Sequence, residues 1–128
     1  MDNLLIEETR YTPYINFDNK KHLLEIKGKS YPENTSLFYT PVFSWLEEYL
    51  ASVSDEQITV NIELVYFNSS SSKVLLDYFD ILEEASEQGK QIRVNWIYDA
   101  EDEDALEFGE EFQEDYESLI FHMTEKEK

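Results

Sequence analysis

The sequence predicts an α/β domain, a mixed sheet with helices packed against it, in the order β-β-α-β-α-β-α. Three observations carry this. Short β-branched runs with alternating polarity recur along the chain, longer runs with apolar residues at three- and four-residue spacing separate them, and Gly, Pro or Asn/Asp punctuation falls between the two kinds. Strands alternating with helices favour a largely parallel sheet, here with a hairpin at the start.

Tyr14–Phe17 and His22–Lys27 read as the hairpin strands, with Asp18, Asn19 and Lys20 as the turn; Gly28 and Pro32 then break the pattern. From Thr35 to about Ser52, Leu37, Phe38, Val42, Phe43, Trp45, Leu46, Tyr49 and Leu50 form a helical stripe. Asn34 or Thr35 caps its start, and Pro41 implies either a kink or a helix that begins there. Gln57–Tyr66 alternates and reads as a central strand. Lys73–Gln88 carries a second stripe that stops at Gly89, a good residue for the left-handed turn after a helix. Ile92–Tyr98 is another strand. Ala105, Phe108, Phe112 and Tyr116 then form one face of an acidic helix, about 101–118, with a short tail after it. Residues 1–128 read as a single domain without repeats or a linker.

With 29 acidic against 10 basic residues the formal charge is −19. Such a surface repels nucleic acid and anionic membranes, and it suits a protein partner with a basic face. The absence of cysteine excludes disulfides and thiolate metal sites. No apolar run approaches the roughly 18 residues that span a bilayer, and MDNLLIEETR lacks the order of a signal peptide. A soluble, cytoplasmic protein without a cofactor is expected.

Residues 66–73, YFNSSSSK, set four hydroxyls side by side where a strand gives way to a helix. Asn68 or Ser69 can cap the helix by accepting from a free N–H. A phosphate-cradling loop would need glycine, and none is present. A serine nucleophile would need a base, yet His22 lies in the hairpin and His122 in the tail. A phosphorylation site fits the physics, because phosphate at a helix start meets free N–H groups and the positive end of the dipole. Lys73, one turn on from Ser69, would help neutralise it. The added charge of about −1.5 to −2 would alter any partner's approach.

Other chemistry finds less footing. The segment from Asp99 to Ser118 holds eleven acidic and no basic residues, but its spacing fails as a calcium loop: with Asp104 first, Leu106 and Phe108 occupy ligand positions. It reads as a solvated helix face, and no metal site is expected. Trp45 and Trp96 read as core. Tyr31 and Asn34, ahead of the first helix, are candidate partner contacts.

Several of these blocks together resemble the SiaC family of bacterial regulatory phosphoproteins: Tyr31-Pro32-Glu33-Asn34, then Phe38, Pro41, Trp45 and Glu48-Tyr49-Leu50; the YFNSSSSK block; Leu82-Glu83-Glu84-Ala85; and Trp96-Ile97-Tyr98-Asp99. The resemblance runs from about Thr12 to about Asp115. It implies a STAS-like domain that is not an enzyme and that works by partner switching. By the same resemblance a HATPase-like Ser/Thr kinase would add a phosphate, a PP2C-type phosphatase would remove it, and the unphosphorylated form would activate a diguanylate cyclase. Cyclic di-GMP, aggregation and biofilm formation would respond. The matching acceptor is Ser69, with Asn68, Ser70, Ser71, Ser72 and Lys73 as its neighbours; the family's acceptor is threonine. The alternative implied is an antagonist of an anti-sigma factor, acting on transcription.

Overall fold

The computed structural model describes residues 1–126. Its elements are β1 (Leu4–Ile6), β2 (Tyr14–Asp18), β3 (Leu23–Ser30), α1 (Thr35–Ser52), β4 (Gln57–Phe67), α2 (Ser69–Glu87), β5 (Gln91–Tyr98), α3 (Glu103–Asp115) and β6 (Ile120–Glu125). They build one six-stranded sheet in the order β1-β2-β3-β4-β5-β6. The first three strands pair antiparallel, and β3 to β6 run parallel.

The expected mixed sheet and hairpin are therefore present, and the sheet gains a strand at each edge. β1 is only three residues long, too short for alternation to reveal it. At the other end, α3 is confined to Glu103–Asp115, and the expected tail contains β6. Its pairing with β5 supplies hydrogen bonds that no local pattern announces. Gly28 does not end β3. With φ at +115° it continues the strand, and the register slips by one residue between Gly28 and Lys29, where Val65 of β4 is the extra, bulged residue.

Three successive parallel crossovers of one hand put α1, α2 and α3 on the same face of the sheet. Toward them point Ile15 and Phe17 of β2, Leu24 and Ile26 of β3, and Ile58, Val60, Ile62 and Leu64 of β4, all buried. The alternate residues (Asn16, Glu25, Asn61, Asn95 and His122, side by side across five strands) form a polar row on a face that carries no helix. This explains the alternation of β4. Period two is kept because only one face is apolar.

α1 starts at Thr35 and runs through Pro41, so the helix does not begin at the proline. Pro41 is exposed, so its ring stands clear of the core. Trp45 and Trp96 are buried as anticipated: Trp45 stacks on Tyr49, and the Trp96 indole donates to the Ala105 carbonyl at 2.9 Å. Tyr116, just past α3, donates to the Leu76 carbonyl and to Asp80, tying α3 to α2.

Candidate functional site

The carboxyl ends of β3, β4 and β5 and the starts of α1, α2 and α3 lie along one edge of the sheet. Each helix start is capped in the same way. Asn34 accepts from the Leu37 amide at 3.0 Å, Asn68 from Ser71 at 2.9 Å and Asp102 from Ala105 at 3.0 Å. Asparagine and aspartate hold these positions because a short side-chain oxygen reaches the third free N–H of a helix.

The four serines have different fates. α2 begins at Ser69, a turn earlier than its apolar stripe suggests, and Asn68 is the cap. Ser69 and Ser70 are exposed, and their amides have no partner among the described residues. Ser71 is 1% exposed; its hydroxyl meets Ser30 Oγ at 2.8 Å, and Ser30 Oγ meets the Tyr39 hydroxyl at 2.6 Å. Ser72 is partly buried, and its amide donates to the Asn68 carbonyl. Burial and bonding thus remove Ser71 from chemistry and leave Ser69 and Ser70 as the open hydroxyls. Ser70 and the exposed Lys73 line a groove of about 540 Å³ between α1 and α2, together with Thr35, Tyr39, Phe43 and Asp77.

Neither histidine approaches the serines. His22 sits at the opposite end of β3, with φ at +54° and its Nδ1 2.7 Å from the Tyr49 hydroxyl, while His122 lies on β6. Among the described residues, no three His, Asp or Glu side chains are grouped to hold a metal. The acidic segment has local roles: Asp99 Oδ1 accepts from the Glu101 amide, and Glu103 and Asp104 occupy the first turn of α3, where the dipole favours them.

The chain just before Tyr31 is bonded to the start of the serine helix. The Asn68 amide donates to the carbonyl of Ser30, the residue before Tyr31. The Tyr31 ring packs edge-on against Tyr11 and Tyr66, at centroid distances of 5.3 and 5.4 Å. Asn34 also has structural work as the α1 cap.

The sequence pattern did not single out the apolar character of this edge. Leu37 (72% exposed), Tyr66 (53%), Tyr11 (49%) and Phe108 (38%) project here, with Val65 beside them. The spacing places Leu37 and Phe108 on the apolar stripes of their helices. Leu37 instead projects from the first turn of α1 into solvent, and Phe108 packs on Phe67 at 4.9 Å at the rim. One signal was available: Val65 breaks the polar register of Thr59, Asn61 and Glu63 on β4.

An α/β domain with one helical face, and an open hydroxyl at a capped helix start on the carboxyl edge of its sheet, is the build of a STAS-like regulatory module. The chain belongs to the SiaC family of regulatory phosphoproteins, whose family model matches residues 6–126. It is 37% identical over 115 residues to an uncharacterized protein of Pseudomonas aeruginosa, covering 90% of each. Among solved structures it is similar to SiaC of Pseudomonas aeruginosa, with a TM-score of 0.90 and 35% identity over 98% of this chain and 100% of that one. A chain in the crystal structure of the diguanylate cyclase SiaD in complex with its activator SiaC, from the same organism, gives a TM-score of 0.90 and 36% identity. That match covers 96% of this chain and 99% of the other.

Proposed function

We propose that this chain is a cytoplasmic, non-enzymatic switch that binds and activates a diguanylate cyclase when Ser69 is bare and releases it when Ser69 carries phosphate. A HATPase-like Ser/Thr kinase writes the mark and a PP2C-type phosphatase erases it, so that cyclic di-GMP and aggregation follow the phosphorylation state. The observation that carries this reading is the setting of Ser69, exposed on the first turn of α2 with free amides beside it. Those amides and the helix dipole let the modified state persist without unfolding. The likeness to the activator in the SiaD complex supports the choice of partner.

The apolar edge gives the switch its mechanism. Tyr66, Tyr11, Leu37 and Phe108 are the kind of side chains that anchor an interface when covered. A dianion in their midst must lose water for the partner to dock, at a cost of several kcal/mol when it gains no counter-charge. Binding is lost locally, and no refolding is required.

The test has two stages. Incubation with the family kinase and ATP adds one phosphate that maps to Ser69 and disappears in Ser69→Ala. The cyclase is then assayed with wild type and with Ser69→Glu, which fails to activate. Equal activation by both, or phosphate accepted by Ser69→Ala, overturns the reading. A pull-down that returns an anti-sigma factor instead of a cyclase favours the alternative role in transcription.

A further inference from the structure

The helix-free face of the sheet is left without a role by the switch at the carboxyl edge. On it, Leu5 of β1 and Ile120 of β6 are more than half exposed at opposite margins, with the polar row between them. Charge divides across it. At one corner Glu7, Glu8, Glu25 and Glu63 wall a concavity of about 530 Å³ that also holds Lys27; Glu63 is ion-paired to Lys126 at 3.2 Å, which leaves Glu7, Glu8 and Glu25 outside that pair. At the other, Arg93 and His122 stand on β5 and β6, with Arg93 paired to Ile120. Arg93 is one of only 10 basic residues in the chain and is exposed.

We infer that this face is a self-complementary surface through which two copies of the chain associate, the Arg93 corner of each lying over the corner of Glu7, Glu8 and Glu25 of the other. A two-fold axis lying between the faces brings unlike corners together twice, as an isologous interface requires. Elsewhere a body of net charge −19 meets its copy with like charge. Strands about 4.8 Å apart give the face roughly 500 Å² per copy. The total of about 1,000 Å² is at the lower bound for a specific interface, so the dimer is weak and concentration-dependent. The carboxyl edges of both copies stay open, which makes the dimer a bivalent ligand for whatever docks at Ser69.

Sedimentation velocity over a concentration series up to about 1 mM, a regime that captures weak association, tests this. The mass of wild type rises from 15.2 kDa toward twice that value. Arg93→Glu and Glu25→Arg each weaken association at least ten-fold, and an equimolar mixture of the two restores it, because the mixed dimer carries two matched corners. Ile120→Lys, at an exposed position, weakens it as well, whether or not Glu25→Arg folds. Ser69→Glu leaves association unchanged, so failure of the phosphate switch does not mimic failure here. A monomer at every concentration overturns the inference. So does a dimer that ignores Arg93→Glu and Ile120→Lys, or one lost in Tyr66→Ala, which would move the contact to the carboxyl edge.

Discussion

Ser30 and Ser71, 41 residues apart in the chain, share a 2.8 Å hydrogen bond between buried hydroxyls. With Tyr39 on the other side of Ser30, the bond joins β3, α1 and the first turn of α2 beneath the exposed pair Ser69 and Ser70. Two serines of the run thus face solvent, and a third anchors the turn that presents them.

Ser71→Ala removes one partner from this buried group while Ser30 keeps Tyr39, at a cost of about 1–2 kcal/mol. Ser69→Ala, at an exposed site, changes stability by no more than about 0.5 kcal/mol. Urea denaturation of the two variants measures both, and equal losses would contradict the division of labour between the serines.

Asn34 has a capping role that can be separated from partner contact. Asn34→Ala costs about 1 kcal/mol, whereas Asn34→Asp keeps an oxygen for the Leu37 amide and stays within a few tenths of wild type. If the Asn34 side chain also touches the cyclase, Asn34→Asp folds normally yet binds more weakly. Thermal melts paired with a binding assay distinguish the two roles.

Gly109 lies where α3 crosses Trp96 and Met123. A methyl group there would stand 2.5 Å from Trp96 Cδ1 and 2.5 Å from Met123 Cε. The Met123 side chain can swing away, but the buried indole is fixed by its bond to the Ala105 carbonyl. Gly109→Ala therefore loses about 1–3 kcal/mol to overpacking, more than the helix propensity gain of about 1 kcal/mol. Denaturant melts followed by tryptophan fluorescence report the net loss, and a more stable variant would refute the close approach.

Burial holds the phenols of Tyr39 and Tyr49 at about 12, up from 10.0; the bond to Ser30 partly opposes this at Tyr39, and nearby Glu56 and Asp18 add to it at Tyr49. Tyr78 and Tyr116 shift in the same direction, chiefly through burial. The folded state keeps these protons longer than the unfolded chain does. Their stabilisation is complete below about pH 10 and is lost as pH rises through about 12. Urea melts at stepped alkaline pH, with tyrosinate absorbance recorded alongside, check this. Ionisation of all nine tyrosines near 10 with the fold intact would disprove it.

Much of the core was legible locally. Period-two alternation marked β4, and three- and four-residue spacing marked most of α1 and α2, because each element buries one face and the pattern records which. The strand-to-helix junction at Asn68 was legible for the same reason. β1 and β6 were not: each is a short edge strand whose identity comes from the neighbour it pairs with. The exposure of Leu37 and Phe108 was not legible either, because their spacing suits a stripe whether or not anything packs there: Leu37 lies in the first turn of α1 and Phe108 near the middle of α3.

By itself, then, the sequence determined the order of the three helices and the four inner strands, the candidates for two of the three caps, the acidic surface and the run of hydroxyls at one helix start. All of these depend on residues near one another in the chain. Which hydroxyls stay open was decided only when Ser30 and Tyr39 came to lie beside Ser71. The apolar edge around Ser69 and the bare face behind it were decided in the same way, by three crossovers that leave one face of the sheet and one end of its strands uncovered. Exposure is a property of what packs against a side chain, and those neighbours are supplied by residues far away in the chain.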